Sequence, residues 1–220
     1  MSPGRDGGAT PPERETGRIE SFSDGVFSVA ITLLVLNLTV PELTGTPTAA
    51  GLALALGEHW PAYLAFVTSF GTILIMWVNH HAVVKLARRA DTLFMFANGF
   101  LLLQVTAVPF ATALVARYLG TPAAATASAV YAGLFAIGNV AYNLLWWSVV
   151  HKGRLLQAHV SLARVNQLTR SFLLGFPIYL AATGLAFVNA YASMAICSSL
   201  WILWAITGYE RLPAREPHSP

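Results

Sequence analysis

Residues 18–42 read RIESFSDGVFSVAITLLVLNLTVPE. Arg18 opens the stretch, Glu20 and Asp24 follow within two turns, no charge falls between Val26 and Val40, and Pro41 and Glu42 close it. A helix rises 1.5 Å per residue, so about 20 apolar residues cross the roughly 30 Å hydrocarbon core of a bilayer. The stretch therefore predicts a membrane-crossing helix near 19–40, charged at its entry and apolar along its length.

Outward from it, runs of similar length recur near 60–84, 92–116, 123–150, 170–188 and 192–209. Composition agrees: hydrophobic residues make up 55% of the chain and charged ones 10%, against about 25% charged in soluble domains. So few charges cannot cover the surface of a 220-residue protein in water, and most of its solvent must be lipid. The expected fold is an all-α integral membrane protein with six transmembrane helices per chain. Residues 1–17, MSPGRDGGATPPERETG, lack an apolar core and read as a disordered tail rather than a signal peptide. Residues 213–220 read the same way, which leaves 18–212 as the membrane domain. Pro109 and Pro177 fall inside spans three and five, where a missing N–H and a bulky ring favour kinks.

The distribution of Lys and Arg orients the chain. Arg5, Arg14, Arg18, Arg211 and Arg215 lie in the end segments, Lys85, Arg88 and Arg89 in the second connection, and Lys152, Arg154, Arg164 and Arg170 in the fourth. The odd connections hold Arg117 alone. This asymmetry places both termini and the even connections in the cytoplasm, for a multi-pass protein expected in the cell membrane. Trp60, Tyr63, Tyr118 and Tyr191 then fall at the outer interface, where amphipathic rings prefer to lie. A short turn at Asn189–Tyr191 predicts a tight hairpin between spans five and six. Ala125, Ala129 and Gly133, at four-residue spacing, either permit close helix approach or fill space. No internal repeat is visible, so a path on a symmetry axis would need several copies of the chain.

Polar groups inside a membrane are costly and therefore informative. Counted from the helix ends, Arg18, Ser23, Asp24, Asn79, His80, His81, Asn98 and Asn143 fall in one layer, roughly 6–10 Å deep on the cytoplasmic side. Trp77 lies one turn deeper, with an indole N–H that needs an acceptor. These residues form either a hydrogen-bonded belt that locks span one to spans two and three, or ordinary interfacial helix ends with Ser21, Ser23 or Asp24 as an N-cap. His80 and His81 point about 100° apart, and metal ligands on a helix usually sit three or four residues apart, so no metal site is expected. Cys197, the one cysteine, excludes an intrachain disulfide and a cysteine metal site.

Within the first span, Val29, Thr32, Leu33 and Leu36 fall at i, i+3, i+4 and i+7, a single stripe. Such a stripe serves as a packing seam or as a pore lining. Thr32 sets a hydroxyl midway along it, and Glu42 lies beyond its outer end, where a carboxylate concentrates cations at a mouth. Four copies around an axis would stack apolar rings about one hydroxyl ring, and apolar constrictions gate by dewetting.

The 18–42 stretch resembles the first-span signature of the transmembrane protein 175 family of potassium channels. That signature pairs an arginine with Phe-Ser-Asp and then Thr-Leu-Leu, matched by Arg18, Phe22, Ser23, Asp24, Thr32, Leu33 and Leu34. Trp77–His81 (WVNHH) and the Asn98 to Pro109–Phe110 segment resemble the second and third spans of the family. The length resembles the prokaryotic form, with one repeat per chain and assembly as a homotetramer around a central pore lined by the first helix. The resemblance implies a potassium-preferring channel without cofactor, K+ being the permeant ion. It implies a constriction at Val29, Leu33 and Leu36, a hydroxyl layer at Thr32, and an inner hydrogen-bond network at Arg18, Ser23, Trp77 and His80 or His81. The chain departs from the family at Val29, where isoleucine or leucine is usual. A valine ring is one methylene smaller per chain, which widens the narrowest point or moves it to Leu33 or Leu36.

The expected partners are therefore other copies of the chain, the bilayer and monovalent cations. Nucleic acid is not among them, because the basic residues lie singly between apolar runs. A proton-coupled secondary cation transporter, with Asp24 and a histidine in the coupling, is the alternative, although such folds usually show inverted repeats. No HExxH, GxSxG, Walker loop or CxxC is present, and an enzyme is not expected.

Overall fold

The structure, a computed structural model, describes residues 11–43, 45–151, 155–158 and 160–209. Its helices are α1 (Pro11–Leu33), continued by a 3-10 turn (Leu34–Asn37), α2 (Ala49–Glu58), α3 (Trp60–Leu86), α4 (Thr92–Tyr118), α5 (Ala124–Val150), α6 (Leu162–Leu185) and α7 (Ala190–Tyr209). Five segments are long and apolar enough to cross a bilayer: Thr16–Asn37, Trp60–Leu86, Thr92–Tyr118, Ala124–Val150 and Leu162–Leu185. The sixth expected span corresponds to α7, whose apolar stretch, Ala190–Ile202, is shorter. Most of the segment expected to be disordered at 1–17, all of 213–220, and Lys152, Arg154, Arg211 and Arg215 lie outside the described residues.

Local chemistry sets the helix starts. Side-chain oxygens accept from backbone N–H groups that have no intrahelical partner: Thr48 from Gly51, Asp91 from Phe94, Ser161 from Arg164 and Asn189 from Ala192. Pro61 occupies the first turn of α3, where its missing N–H costs nothing. Two boundaries differ from those expected. The first helix begins at Pro11 and runs through Ser21, Ser23 and Asp24, so none of the three caps it; Ser21 and Ser23 instead donate to the carbonyls of Gly17 and Ile19. The fifth span begins at Leu162, because the Ser161 cap starts a helix that carries Arg164 and Arg170 on polar turns before it becomes apolar.

α5 packs chiefly between α4 and α6. Pro109 and Pro177 lie inside α4 and α6, as expected. On α5, a Cβ at Gly133 would stand 3.7 Å from Thr183, the close approach to α6 that the small-residue spacing allowed. Buried hydroxyls tie the centre: Tyr131 to Ser69 (2.9 Å), Ser69 to Thr112 (2.7 Å), and Thr112 to the carbonyl of Val108 (2.8 Å). Read as Tyr131 donating to Ser69 and Ser69 to Thr112, every proton in the chain is used, as a low-dielectric interior requires. On the side holding Leu86 and Leu155, Arg88 N donates to Leu155 O (2.8 Å) and Gln157 N to Leu86 O (3.0 Å). This backbone pairing joins the second and fourth connections. At the opposite end Trp60 stacks on Tyr191, centroids 6.1 Å apart, bringing together two residues expected at one interface. Among the described helices α1 packs against α3 and α4 alone and stands at the margin of the bundle.

Candidate functional site

Two faces of α1 divide its sequence. Ser23, Phe27, Ala30 and Leu34, at spacings of four, three and four, are buried against α3 and α4. The stripe 29/32/33/36 turns away from its own subunit: Val29 is 57% exposed, Leu33 42% and Leu36 70%, and Thr32 is exposed beside them. The expected constriction residues therefore form one outward apolar ridge that no helix of the same chain covers. In a 3-10 turn, side chains three apart eclipse rather than lag by about 60°, so Leu36 stands in line above Leu33.

Thr32 supplies a specific chemistry. Its hydroxyl donates back to the carbonyls of Ser28 (3.0 Å) and Val29 (2.9 Å). With its proton held inside the helix, the group presents oxygen lone pairs outward, an acceptor suited to a cation. Glu42 is exposed beyond the C-terminal end of the 3-10 turn.

Behind the ridge, the polar layer is tied across three helices. Asn98 on α4 donates through Nδ2 to Ser23 Oγ on α1 (3.0 Å), and its Oδ1 accepts from His80 Nε2 on α3 (2.7 Å). Ser23, His80 and Asn98 are all buried. The bond to an amide oxygen makes Nε2 the protonated nitrogen of His80, which leaves Nδ1 as a buried acceptor with no partner among the described residues. Nearer the surface, Trp77 Nε1 donates to Asp24 Oδ1 (2.8 Å), and His81 Nδ1 meets the Glu20 carboxylate. Glu20 and Asp24 are four apart on α1, and Trp77 and His81 four apart on α3, so two parallel rungs join the antiparallel pair. Trp77 and His81 also stack on each other, centroids 6.3 Å apart.

Of the nine residues expected in the polar layer or one turn deeper, six thus meet in two groups: Ser23, His80 and Asn98, and Asp24, Trp77 and His81. Arg18 is exposed, and among the described residues it makes no hydrogen bond to either group. Asp24 pairs with the indole and with neither histidine. Asn143 departs from the layer, donating to Asn139 O (2.8 Å) and Phe172 O (3.1 Å) between α5 and α6, and Asn79 faces away from α1. His80 and His81 serve different partners, and among the described residues no group of three His, Cys, Asp or Glu is placed to hold a metal ion.

Two participants had not been singled out. Glu20 was readable from its four-residue spacing to Asp24, matched by the spacing of Trp77 to His81. Asn37 donates through Nδ2 to the carbonyl of Pro109 (3.3 Å), tying the 3-10 turn after α1 to the proline turn of α4 across 72 residues. No local signal marks that pair.

Comparison with known proteins follows the same residues. The sequence profile of the family described as "Endosomal/lysosomal potassium channel TMEM175" matches residues 18–109, which carry α1 through Pro109. A potassium channel of Chamaesiphon minutus is 45% identical over 196 residues, 89% of this chain and 96% of the relative. A potassium channel of Streptomyces collinus is 40% identical over 207 residues, 94% and 98% of the two chains. The crystal structure of a lysosomal potassium-selective channel TMEM175 homolog from Chamaesiphon minutus superposes with a TM-score of 0.79 at 43% identity, covering 88% of this chain and 98% of that one.

Proposed function

The chain belongs to the TMEM175 family, and from that premise we propose that it is a potassium-preferring cation channel whose ions pass between copies of α1 gathered around a central axis. The observation that carries this reading is the division of α1. One face is buried and hydrogen-bonded to its own subunit, and the other presents Val29, Thr32, Leu33 and Leu36 to whatever lies beyond. In a homotetramer these side chains form three aliphatic rings and one ring of threonine oxygens. Aliphatic rings set the bore and resist wetting when closed, while a few oxygens favour the cation that sheds its water more readily. Glu42 draws cations to the outer mouth. The Ser23–Asn98–His80 group, with Asp24–Trp77 and Glu20–His81, holds the helix so that the ridge keeps its aim, and Arg18 stands at the inner entrance. The chain crosses the cell membrane six times, α7 completing the set, with both termini in the cytoplasm and residues 18–212 forming the channel domain between end segments.

The test is a planar-bilayer recording of purified protein with K+ and Na+ on opposite sides. A K+ current whose reversal potential lies toward the K+ equilibrium potential is expected, and glutamine at Leu33 or Leu36 should raise the leak and weaken the preference. Unchanged conduction in both variants would remove the ridge from the pathway. The carboxylate–imidazole contact of Glu20 with His81 favours one second reading, a proton-coupled cation transporter. A proton gradient that drove K+ uphill into liposomes would select it.

A further inference from the structure

A crevice opens on the far side of α3 from the ridge. Its walls come from α3, α5, α6 and α7, and among the described residues α3 does not pack against α6. Between the walls lies a cavity of about 80 Å³ that is not fully enclosed. Phe135, Phe172, Tyr179, Trp201 and Trp204 make it largely aromatic, and among the described residues no charged side chain lines it. Two carboxamides do: Asn79 from α3 and Asn139 from α5.

These amides are poorly served by the protein. Asn79 lies about 160° around α3 from Trp77, at 100° per residue, and so cannot join the polar layer toward α1. It is half-buried and has no hydrogen bond among the described residues. It lies seven residues before Leu86, roughly 10 Å from that end of the helix, where an unpaired amide is costly. Asn139 Oδ1 accepts from Asn143 (2.9 Å), but its Nδ2 has no acceptor among the described residues. A Cβ at residue 175 on α6 would clash with that nitrogen, so Gly175 leaves the amide its present place. The structure thus keeps room for two amide heads facing one space.

The size and walls of that space select the occupant. A cavity that takes benzene measures about 150 Å³, roughly twice this one, so a ring does not enter whole and a slim head does. The absence of lining charge calls for a neutral head, and the open side leaves room for a chain running out into lipid. We propose that the crevice binds the head of a neutral single-chain amphiphile, a primary amide or alcohol, held by Asn79 and Asn139 while its alkyl chain lies along the aromatic wall.

The test is photolabelling of the full chain in liposomes with a dodecanol bearing a diazirine three carbons from the hydroxyl, with adducts mapped by peptide mass spectrometry. Adducts are expected to concentrate on Met76, Phe135 and Trp201 and to saturate with dose. Excess dodecanamide or dodecanol should reduce them at least fivefold, and dodecane less than twofold. Asn79→Leu matches the amide in volume and has no bond to lose, so it should fold and lose most of the labelling. Adducts spread over all lipid-facing helices and rising linearly with dose would overturn the proposal. So would equal competition by dodecane, or wild-type labelling of a correctly folded Asn79→Leu.

Discussion

Thr32 shows how a residue that looks apolar by position can act by chemistry. Its O–H is committed to the helix backbone, so replacement by valine removes outward lone pairs while keeping shape and leaving no buried donor. Thr32→Val should therefore assemble normally, with its permeability ratio for K+ over Na+ reduced about threefold, or roughly 0.7 kcal/mol by the usual conversion; reversal potentials under bi-ionic conditions measure it. The buried network behaves oppositely. Asn98→Leu strands the His80 N–H in an apolar interior and deprives Ser23 Oγ of its donor, each stranded group costing about 1–3 kcal/mol. Ser23→Ala removes one acceptor and leaves the His80–Asn98 bond intact. In thermal unfolding of detergent-solubilised protein, Asn98→Leu should be clearly the less stable of the two. Equal midpoints would mean that the three groups do not act as a chain. Of these residues, Ser23, His80 and Asn98 were legible from depth counting alone, since residues at matching depths on adjacent helices can meet. Arg18 passed the same count and yet is exposed and joins neither group, because depth says nothing about azimuth.

At the scale of helices, apolar run length is the strong signal, and it located α3, α4 and α5 to within a few residues. It fails where polarity and helicity part company. Arg164, Asn166, Gln167 and Arg170 break the apolar run, so the first two turns of α6 are invisible to hydropathy although the Ser161 cap specifies them. α2, AAGLALALGE, is too short to span and has no polar face to give a period, so it was not foreseen. The 3-10 turn at Leu34–Asn37 is a third case. Helical spacing finds the stripe, but the alignment of Leu36 above Leu33 depends on the change of winding, and 3-10 segments exceeding a turn are uncommon without outside support. That support is the bond from Asn37 to the Pro109 carbonyl. Asn37→Leu should leave folding nearly unchanged, since one partly exposed bond contributes about 0.5–1.5 kcal/mol. Leu36, however, would no longer be held in register. Single-channel records should then show additional current levels and shorter openings; a record identical to wild type would assign the bond to packing alone.

For the whole molecule, the decisive feature is a helix half committed to its own chain. Only 22% of the apolar window of α1 is buried within the subunit, the same share as for α6, against 56% for α5. In water that difference would itself drive association, but lipid solvates leucine as well as protein does, so exposed aliphatic side chains alone do not demand a partner. What lipid solvates poorly is the hydroxyl oxygens along the same ridge, where Ser28 and Thr32 lie exposed beside Gly25 and the aliphatic residues. A second copy of α1 or a column of water and cations satisfies those oxygens, and hydrocarbon does not. The argument can be tested with a single engineered thiol, because Cys197, the only native cysteine, is buried. A disulfide needs Cβ atoms about 3.8 Å apart, a separation reached where four helices converge and not where each faces lipid. Oxidation of Val29→Cys in native membranes should therefore yield disulfide-linked dimers that reducing agent dissolves. Leu103→Cys, on an exposed position of α4, should remain monomeric on the same gel. If Val29→Cys stayed monomeric while native mass measurements showed a tetramer, α1 would lie at the periphery of the assembly, and the ions would have to take another route.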